Sequence, residues 1–231
     1  RTPRLKMQDI TKEFSGVYAL SGITLDLYPS EVHCLVGENG AGKSTLMKIL
    51  SGAYVPSGGS IWMDGQVYKT LNPVLSKELG INIVYQENDL VPSMNVAENI
   101  YVGNEKTNSF GFVDFKAMVS ETKRQMEELN IEIDPLVKIE DLSVSDQQFV
   151  KILKALSVEP RILIMDEPTS IFNVEDAAKV FELVRTIAAR GIGIIYISHF
   201  LEEIRQIADR VTVIRDGAVI NTYENPNRDI R

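Results

Sequence analysis

The stretch Val32-His33-Cys34-Leu35-Val36-Gly37-Glu38-Asn39-Gly40-Ala41-Gly42-Lys43-Ser44-Thr45 decides the fold. An apolar run ends at a glycine, and after four residues comes Gly42-Lys43-Ser44. This is the phosphate-loop pattern, G-x-x-x-x-G-K-[ST] between a strand and a helix. Gly37, Gly40 and Gly42 permit backbone dihedrals, and a closeness to a ligand, that a Cβ forbids. Successive N–H groups then face inward as an anion nest. A helix starting near Lys43 adds its unpaired N–H groups and the positive end of its dipole. Lys43 supplies a point charge for β- and γ-phosphates, and the Ser44 hydroxyl is a candidate Mg²⁺ ligand. Glu38, Asn39, Ala41 and Thr45 complete the candidate phosphate-binding segment.

The 231 residues suffice for a sizeable core in one or two domains. Hydrophobic residues make up 44% and charged residues 24%, the balance of a soluble globular protein. With 24 basic and 32 acidic side chains the formal net charge is −8, which argues against a nucleic-acid-binding surface. No basic cluster dense enough for anionic lipid stands out. The single Cys34 forms no internal disulfide; it reads as a core residue in a reducing compartment. No apolar run has the length of a membrane span and no signal peptide is recognised. The chain opens at Arg1 and ends in a polar tail, and is read as a fragment of a longer polypeptide.

Outward from the loop, Leu5 to Phe14 and Tyr18 to Tyr28 read as antiparallel strands joined around Gly16. After the loop, Leu46, Ile49, Leu50 and Ala53 have helical spacing. Ser60 to Tyr68 reads as two short strands about Asp64-Gly65, and Asn72 to Leu79 as a helix. Ile81 to Tyr85 is an apolar strand with Gln86 at its carboxyl end. Residues 88–157 then change character. Asn95 caps a short helix, Asn104 to Gly111 is an exposed loop, and Asp114 to Leu129 and Ser145 to Leu156 have helical patterns. Residues 158–231 restore the first character: strands Arg161 to Met165 and Gly193 to Ile197, helices after Asn173 and Phe200, and two strands about Asp216-Gly217. The predicted fold class is α/β, a mostly parallel sheet with helices on both faces, plus an antiparallel β unit and a helical insertion. Residues 1–87 and 158–231 form the α/β core and residues 88–157 the insertion.

Open α/β sheets bind ligands outside the carboxyl ends of their strands. Besides the phosphate loop, Gln86, Asp166-Glu167 and His199 stand at such ends. Asp166 follows the run Ile162 to Met165, the Walker B arrangement, and would hold Mg²⁺ through water. Glu167 follows it and can act as general base on the attacking water. Gln86 could ligate Mg²⁺ or place that water, and His199 could hydrogen-bond the γ-phosphate. His33 has no such context and reads as structural.

In this order and spacing, Gly37 to Thr45, Gln86, Leu142-Ser143-Val144-Ser145-Asp146-Gln147-Gln148, Ile162 to Thr169 and His199 resemble the nucleotide-binding domain of ABC transporters. The resemblance covers essentially the whole chain. It is closest to the first of two tandem ATPase domains in bacterial simple-sugar importers of ribose, galactose and xylose type. It implies a head-to-tail pair of such domains, with ATP and Mg²⁺ at two sites between them. In that pair the signature residues Ser143, Ser145 and Gln147 act on the partner's site. Phe14 takes the place of an aromatic stacked on adenine, with Tyr18 as the less favoured alternative. Val91 to Asn99 would receive the coupling helix of a transmembrane permease, with a solute-binding protein as an indirect partner and the cytoplasmic face of the membrane as the location. Two segments depart from the pattern. Ser145 replaces a usual glycine, and Ser170-Ile171-Phe172-Asn173 lacks the usual closing aspartate.

Ser143-x-x-Asp146 and Ser145-x-x-Gln148 both fit a helix-capping pattern, the second as a capping box. The expected activity is ATP hydrolysis driving import of a small solute, a simple sugar. The alternatives are a regulatory domain with weakened hydrolysis and a soluble ABC ATPase outside transport. A plain P-loop kinase has no need of the signature segment.

Overall fold

A computed structural model describes residues 2–85 and 89–225, apart from the side chains of Val174 and Glu175. Gln86 therefore lies outside the described residues.

The chain begins with a long hairpin, β1 (Leu5–Phe14) and β2 (Val17–Leu27), and continues into β3 (Val32–Val36) and α1 (Lys43–Leu50). A second hairpin, β4 (Gly58–Met63) and β5 (Gln66–Tyr68), is followed by α2 (Pro73–Glu78) and β6 (Ile81–Val84). Three helices come next: α3 (Val96–Tyr101), α4 (Phe115–Glu128) and α5 (Val144–Leu156). The chain closes with β7 (Ile162–Asp166), α6 (Val174–Ala189), β8 (Gly193–Ile197), α7 (Leu201–Ile207), β9 (Arg210–Arg215) and β10 (Ala218–Glu224).

Two sheets result. One is antiparallel in the order β2-β1-β4-β5; the other runs β10-β9-β3-β8-β7-β6. In the second, β9, β3, β8, β7 and β6 pair in parallel and only β10 is antiparallel. The uniform apolarity of its strands has a direct cause, since alternate residues enter two different cores. Cys34, Leu163, Met165, Ile194 and Tyr196 pack with helices α3 to α7. Leu35, Ile162, Ile164, Ile195 and Ile197 pack with α1 and the antiparallel sheet. A strand covered on both faces has no polar side to show.

The hairpins turn where the sequence places them. Asp64-Gly65 and Asp216-Gly217 each hold two successive residues at positive φ, the type that matches the twist of flanking strands. Asn95 caps α3 in a full capping box with Glu98.

Helix α5 requires a correction. It begins one residue earlier than the pattern suggested, and its N-cap is Ser143, whose Oγ accepts the Asp146 N–H at 3.1 Å. Ser145 is the second residue inside the helix, so it caps nothing. A capping side chain needs an extended backbone, and it is Ser143, at φ −62 and ψ 157, that has one.

Candidate nucleotide site

Register brings the strand ends together. Leu35 and Asp166 both pair with Ile197, so β3, β8 and β7 stop at one level. The segments that leave these strands enclose a cavity of about 560 Å³. Its lining includes Gly37, Glu38, Asn39, Gly40, Gly42, Lys43, Ser44, Thr45, Asp166, Glu167 and His199. Residues from three regions of the sequence thus meet around one space. Ala19 of β2 also lines it, a position that no sequence motif marks.

The loop glycines have separate reasons. A Cβ on Gly37 would stand 2.3 Å from the Ile214 carbonyl oxygen of β9, so a close approach of strands requires glycine. Gly42 combines φ 106 with a would-be Cβ 2.8 Å from the Ala19 carbonyl oxygen. Gly42 is the N-cap of α1 and no side chain among the described residues caps that helix, whose first-turn N–H groups are open to an anion. Ala41 is buried and does not line the cavity; it belongs to the core formed by α1 and the antiparallel sheet.

Lys43 Nζ donates to the carbonyl oxygens of Gly37 at 2.6 Å and Glu38 at 3.0 Å. The ammonium is thus held across the mouth of the nest. On the opposite wall, burial pushes the Asp166 carboxyl above its usual pKa, and the neighbouring Glu167 charge adds to the shift while Lys43 opposes it. The Asp166 carboxyl, raised in this way, accepts a cation readily.

Glu167 stands at φ 47, a left-handed conformation unusual for glutamate. Its N–H donates to the Ile197 carbonyl at 2.9 Å. His199 Nδ1 lies 2.9 Å from Glu167 Oε1. The carboxylate can only accept, so Nδ1 carries the proton and Nε2 is left as an acceptor in the neutral ring. The sequence marked both residues but gave no sign that they pair with each other.

The other candidates lie elsewhere. Phe14 does not line the cavity. Its ring meets Tyr54 edge-on at 5.4 Å, with Lys12 Nζ 4.8 Å above it, and remains 41% exposed. Tyr18 is exposed at 58%. Ser143, Ser145 and Gln147 belong to the start of α5 and do not line this cavity. Ser143 Oγ donates to Asp146 Oδ2 at 2.7 Å, and the Gln147 side-chain amide donates to the carbonyl oxygens of Ile139 and Leu142. Gln147 and Glu167 share the lining of a second, smaller cavity of about 310 Å³. Asn173 caps α6 by accepting the Asp176 N–H. His33 and Cys34 are buried in β3, as expected of structural residues.

Comparison with known proteins follows the same lines. The chain is 48% identical over 218 residues to the ribose import ATP-binding protein RbsA 1 of Rubrobacter xylanophilus, covering 94% of this chain and 44% of that protein. It is 46% identical over 222 residues to a putative ribose/galactose/methyl galactoside import ATP-binding protein of Agrobacterium fabrum, with 96% and 44% covered. The chain therefore spans less than half the length of these relatives.

Among solved structures, the ADP conformation of an ATP-binding cassette of an ABC transporter superposes with a TM-score of 0.87 at 24% identity. That match covers 97% of this chain and 92% of the other. The protein cbiO1 from Clostridium perfringens, described as part of the ABC transporter complex cbiONQ, gives 0.84 at 27% identity, with 97% and 90% covered. Finally, the family model for the ABC transporter matches residues 20–170, a span holding every residue of the main cavity except Ala19 and His199. The chain belongs to the ABC transporter family.

Proposed function

We propose that this chain is the ATP-binding and ATP-hydrolysing domain that powers import of a small solute, a simple sugar, through an ABC transporter. The observation that carries the reading is the convergence of Lys43, the open helix end, Asp166, Glu167 and His199 on one cavity. The loop and Lys43 bind the triphosphate. In exchange for its two carbonyl partners, the Lys43 ammonium receives β- and γ-phosphate oxygens. Glu167 takes the proton of the attacking water, and His199 holds the Glu167 carboxylate by its Nδ1–H; with both ring nitrogens protonated, Nε2–H donates to the γ-phosphate.

The donor set fits Mg²⁺: the Ser44 hydroxyl and the Asp166 carboxylate are hard oxygen ligands in one cavity, with Gln86 as a further candidate. When bound, the metal neutralises charge on the phosphate oxygens. The sugar assignment rests on the relatives, which are named as ribose and galactose import proteins.

The same reading assigns partners. A second ATPase domain pairs head to tail, so that Ser143, Ser145 and Gln147 act on its site. Phe14, with its exposed ring, stacks on adenine. Transmembrane permease subunits hold the chain at the cytoplasmic face of the membrane, with a solute-binding protein acting indirectly. No helix among the described residues is long and apolar enough to cross a membrane. Residues 88–157 act as the signature-bearing subdomain and the remainder as the ATP-binding core.

A second reading, a domain with weakened action on its partner's site, has one observation in its favour. The Ser143 hydroxyl that would serve a phosphate is engaged with Asp146, whose carboxylate also neutralises the helix end.

Two variants test the main reading. Lys43→Ala abolishes measurable binding of a fluorescent ATP analogue without altering the circular dichroism spectrum; retained affinity would remove the phosphate-loop assignment. Glu167→Gln keeps binding but slows hydrolysis by about 10²-fold or more. Wild-type turnover in that variant would place the base elsewhere.

A further inference from the structure

None of Thr169, Tyr196, Ser198 and Glu203 lines the nucleotide cavity, yet the four form a closed hydrogen-bonded group. Glu203 belongs to α7. Its Oε1 accepts from Thr169 Oγ1 at 2.7 Å, and its Oε2 accepts from Ser198 Oγ at 2.8 Å and from the Tyr196 hydroxyl at 3.2 Å. The three donors are almost wholly buried, at 4%, 2% and 0% exposure for Thr169, Ser198 and Tyr196. Their places in the chain are informative. Thr169 is two residues past Glu167, Tyr196 is the last residue but one of β8, and Ser198 immediately precedes His199. Ser198 Oγ also accepts the Phe200 N–H at 3.0 Å, which closes the turn around His199. On the other side of the pair, Glu167 is held at φ 47, a conformation that persists only where the surroundings impose it.

We propose that Glu203 is a positioning residue for ATP hydrolysis. Its carboxylate fastens the segment that carries Glu167 to the segment that carries His199, and so sets their 2.9 Å contact. The inference rests on the reading of Glu167 and His199 as the hydrolytic pair. A carboxylate suits the task because it only accepts, and its two oxygens take three hydroxyl donors at once. Glutamine keeps the volume and one acceptor oxygen. Alanine leaves three buried hydroxyls to find other partners and frees the two segments to move apart.

The test compares Glu203→Ala, Glu203→Gln, Glu167→Gln and the double variant Glu203→Ala/Glu167→Gln in the full-length protein. Measurements are made at a temperature where circular dichroism shows each to be folded. Glu203→Ala lowers kcat by about 10-fold to 10²-fold, the cost of a misplaced reacting group. Affinity for a fluorescent ATP analogue stays within about twofold, because the phosphate loop is untouched. Glu203→Gln recovers most of the lost kcat. The double variant turns over no more slowly than Glu167→Gln alone, since the pair is already broken.

Full turnover in Glu203→Ala, beside a slow Glu167→Gln, overturns the inference alone. So does a parallel fall of kcat and ATP affinity that glutamine does not rescue, the mark of a scaffold role only. Full turnover in Glu167→Gln removes the hydrolytic reading itself and this inference with it. Where Glu203→Ala does not fold, Ser198→Ala, which removes one of the three donors, carries the same comparison of kcat against affinity.

Discussion

His33 shows how far a single residue can be read. It is 1% exposed, and Arg210 Nη2 lies 3.0 Å from its Nδ1. Nδ1 also lies 3.0 Å from the Asp26 carbonyl oxygen, and Nε2 lies 2.7 Å from Thr212 Oγ1, so both ring nitrogens have polar partners inside the fold. Burial, reinforced by the Arg210 charge, lowers the His33 pKa to about 3. The folded value is thus below the unfolded one, and the unfolded chain binds the extra proton. The stabilising effect is complete above the unfolded pKa of about 6.5 and is lost as pH falls from there toward 3. Urea denaturation between pH 7 and pH 5 should show wild-type stability falling relative to His33→Gln. The slope approaches about 1.4 kcal/mol per pH unit at the acid end of that range. Parallel curves for the two proteins would contradict a neutral His33. Glu31, whose carboxyl is raised by burial, acts in the opposite sense and is present in both. The sequence left His33 as structural because no functional context surrounds it; the pH effect comes from burial and from Arg210, 177 residues away.

At the scale of the element, local chemistry decided most boundaries. Asn72, Asn95, Asp114, Ser143 and Asn173 each cap a helix with their own side chains. The start of α5 was ambiguous because two serines, at 143 and 145, each stand three residues before a polar partner. Packing resolved it: Leu142 joins the core, which fixes Ser143 in the extended conformation and leaves Ser145 in the first turn. Ser143→Ala therefore costs about 1 kcal/mol of stability, the worth of a cap. Ser145→Gly costs no more than about 0.5 kcal/mol, a matter of helix propensity. Thermal denaturation of the two variants checks the order, and a larger loss at Ser145 would contradict the assigned cap.

On the scale of the whole molecule, the cavity joins β2, the phosphate loop, β7 and the segment after β8, so a ligand there ties both cores together. A ligand that binds only the folded state stabilises it by mass action. At 100 times its dissociation constant, ATP with Mg²⁺ should add about 2.7 kcal/mol and raise Tm by roughly 5–10 °C. Differential scanning fluorimetry with and without nucleotide measures this. An unchanged Tm at saturating ATP would mean that the cavity is not a nucleotide site of the folded chain.

What the sequence determined by itself was whatever depends on neighbours along the chain. The phosphate loop needs glycines at fixed spacing, the hairpin turns need a pair such as Ser15-Gly16, Asp64-Gly65 or Asp216-Gly217 that takes positive φ, and the buried strands need continuous apolar runs; all three are local requirements and were legible. Tertiary structure decided what depends on distant residues. The register of β7 on β8 set Glu167 against His199. The approach of β9 to the loop made Gly37 obligatory through the Ile214 carbonyl. The docking of α7 placed Glu203 among three hydroxyls from two separate segments. Each is a contact between residues far apart in the chain, and no spacing rule specifies which pairs will meet. Only the packing of both sheet faces fixes those distances, because a side chain in a close-packed interior has one place to go.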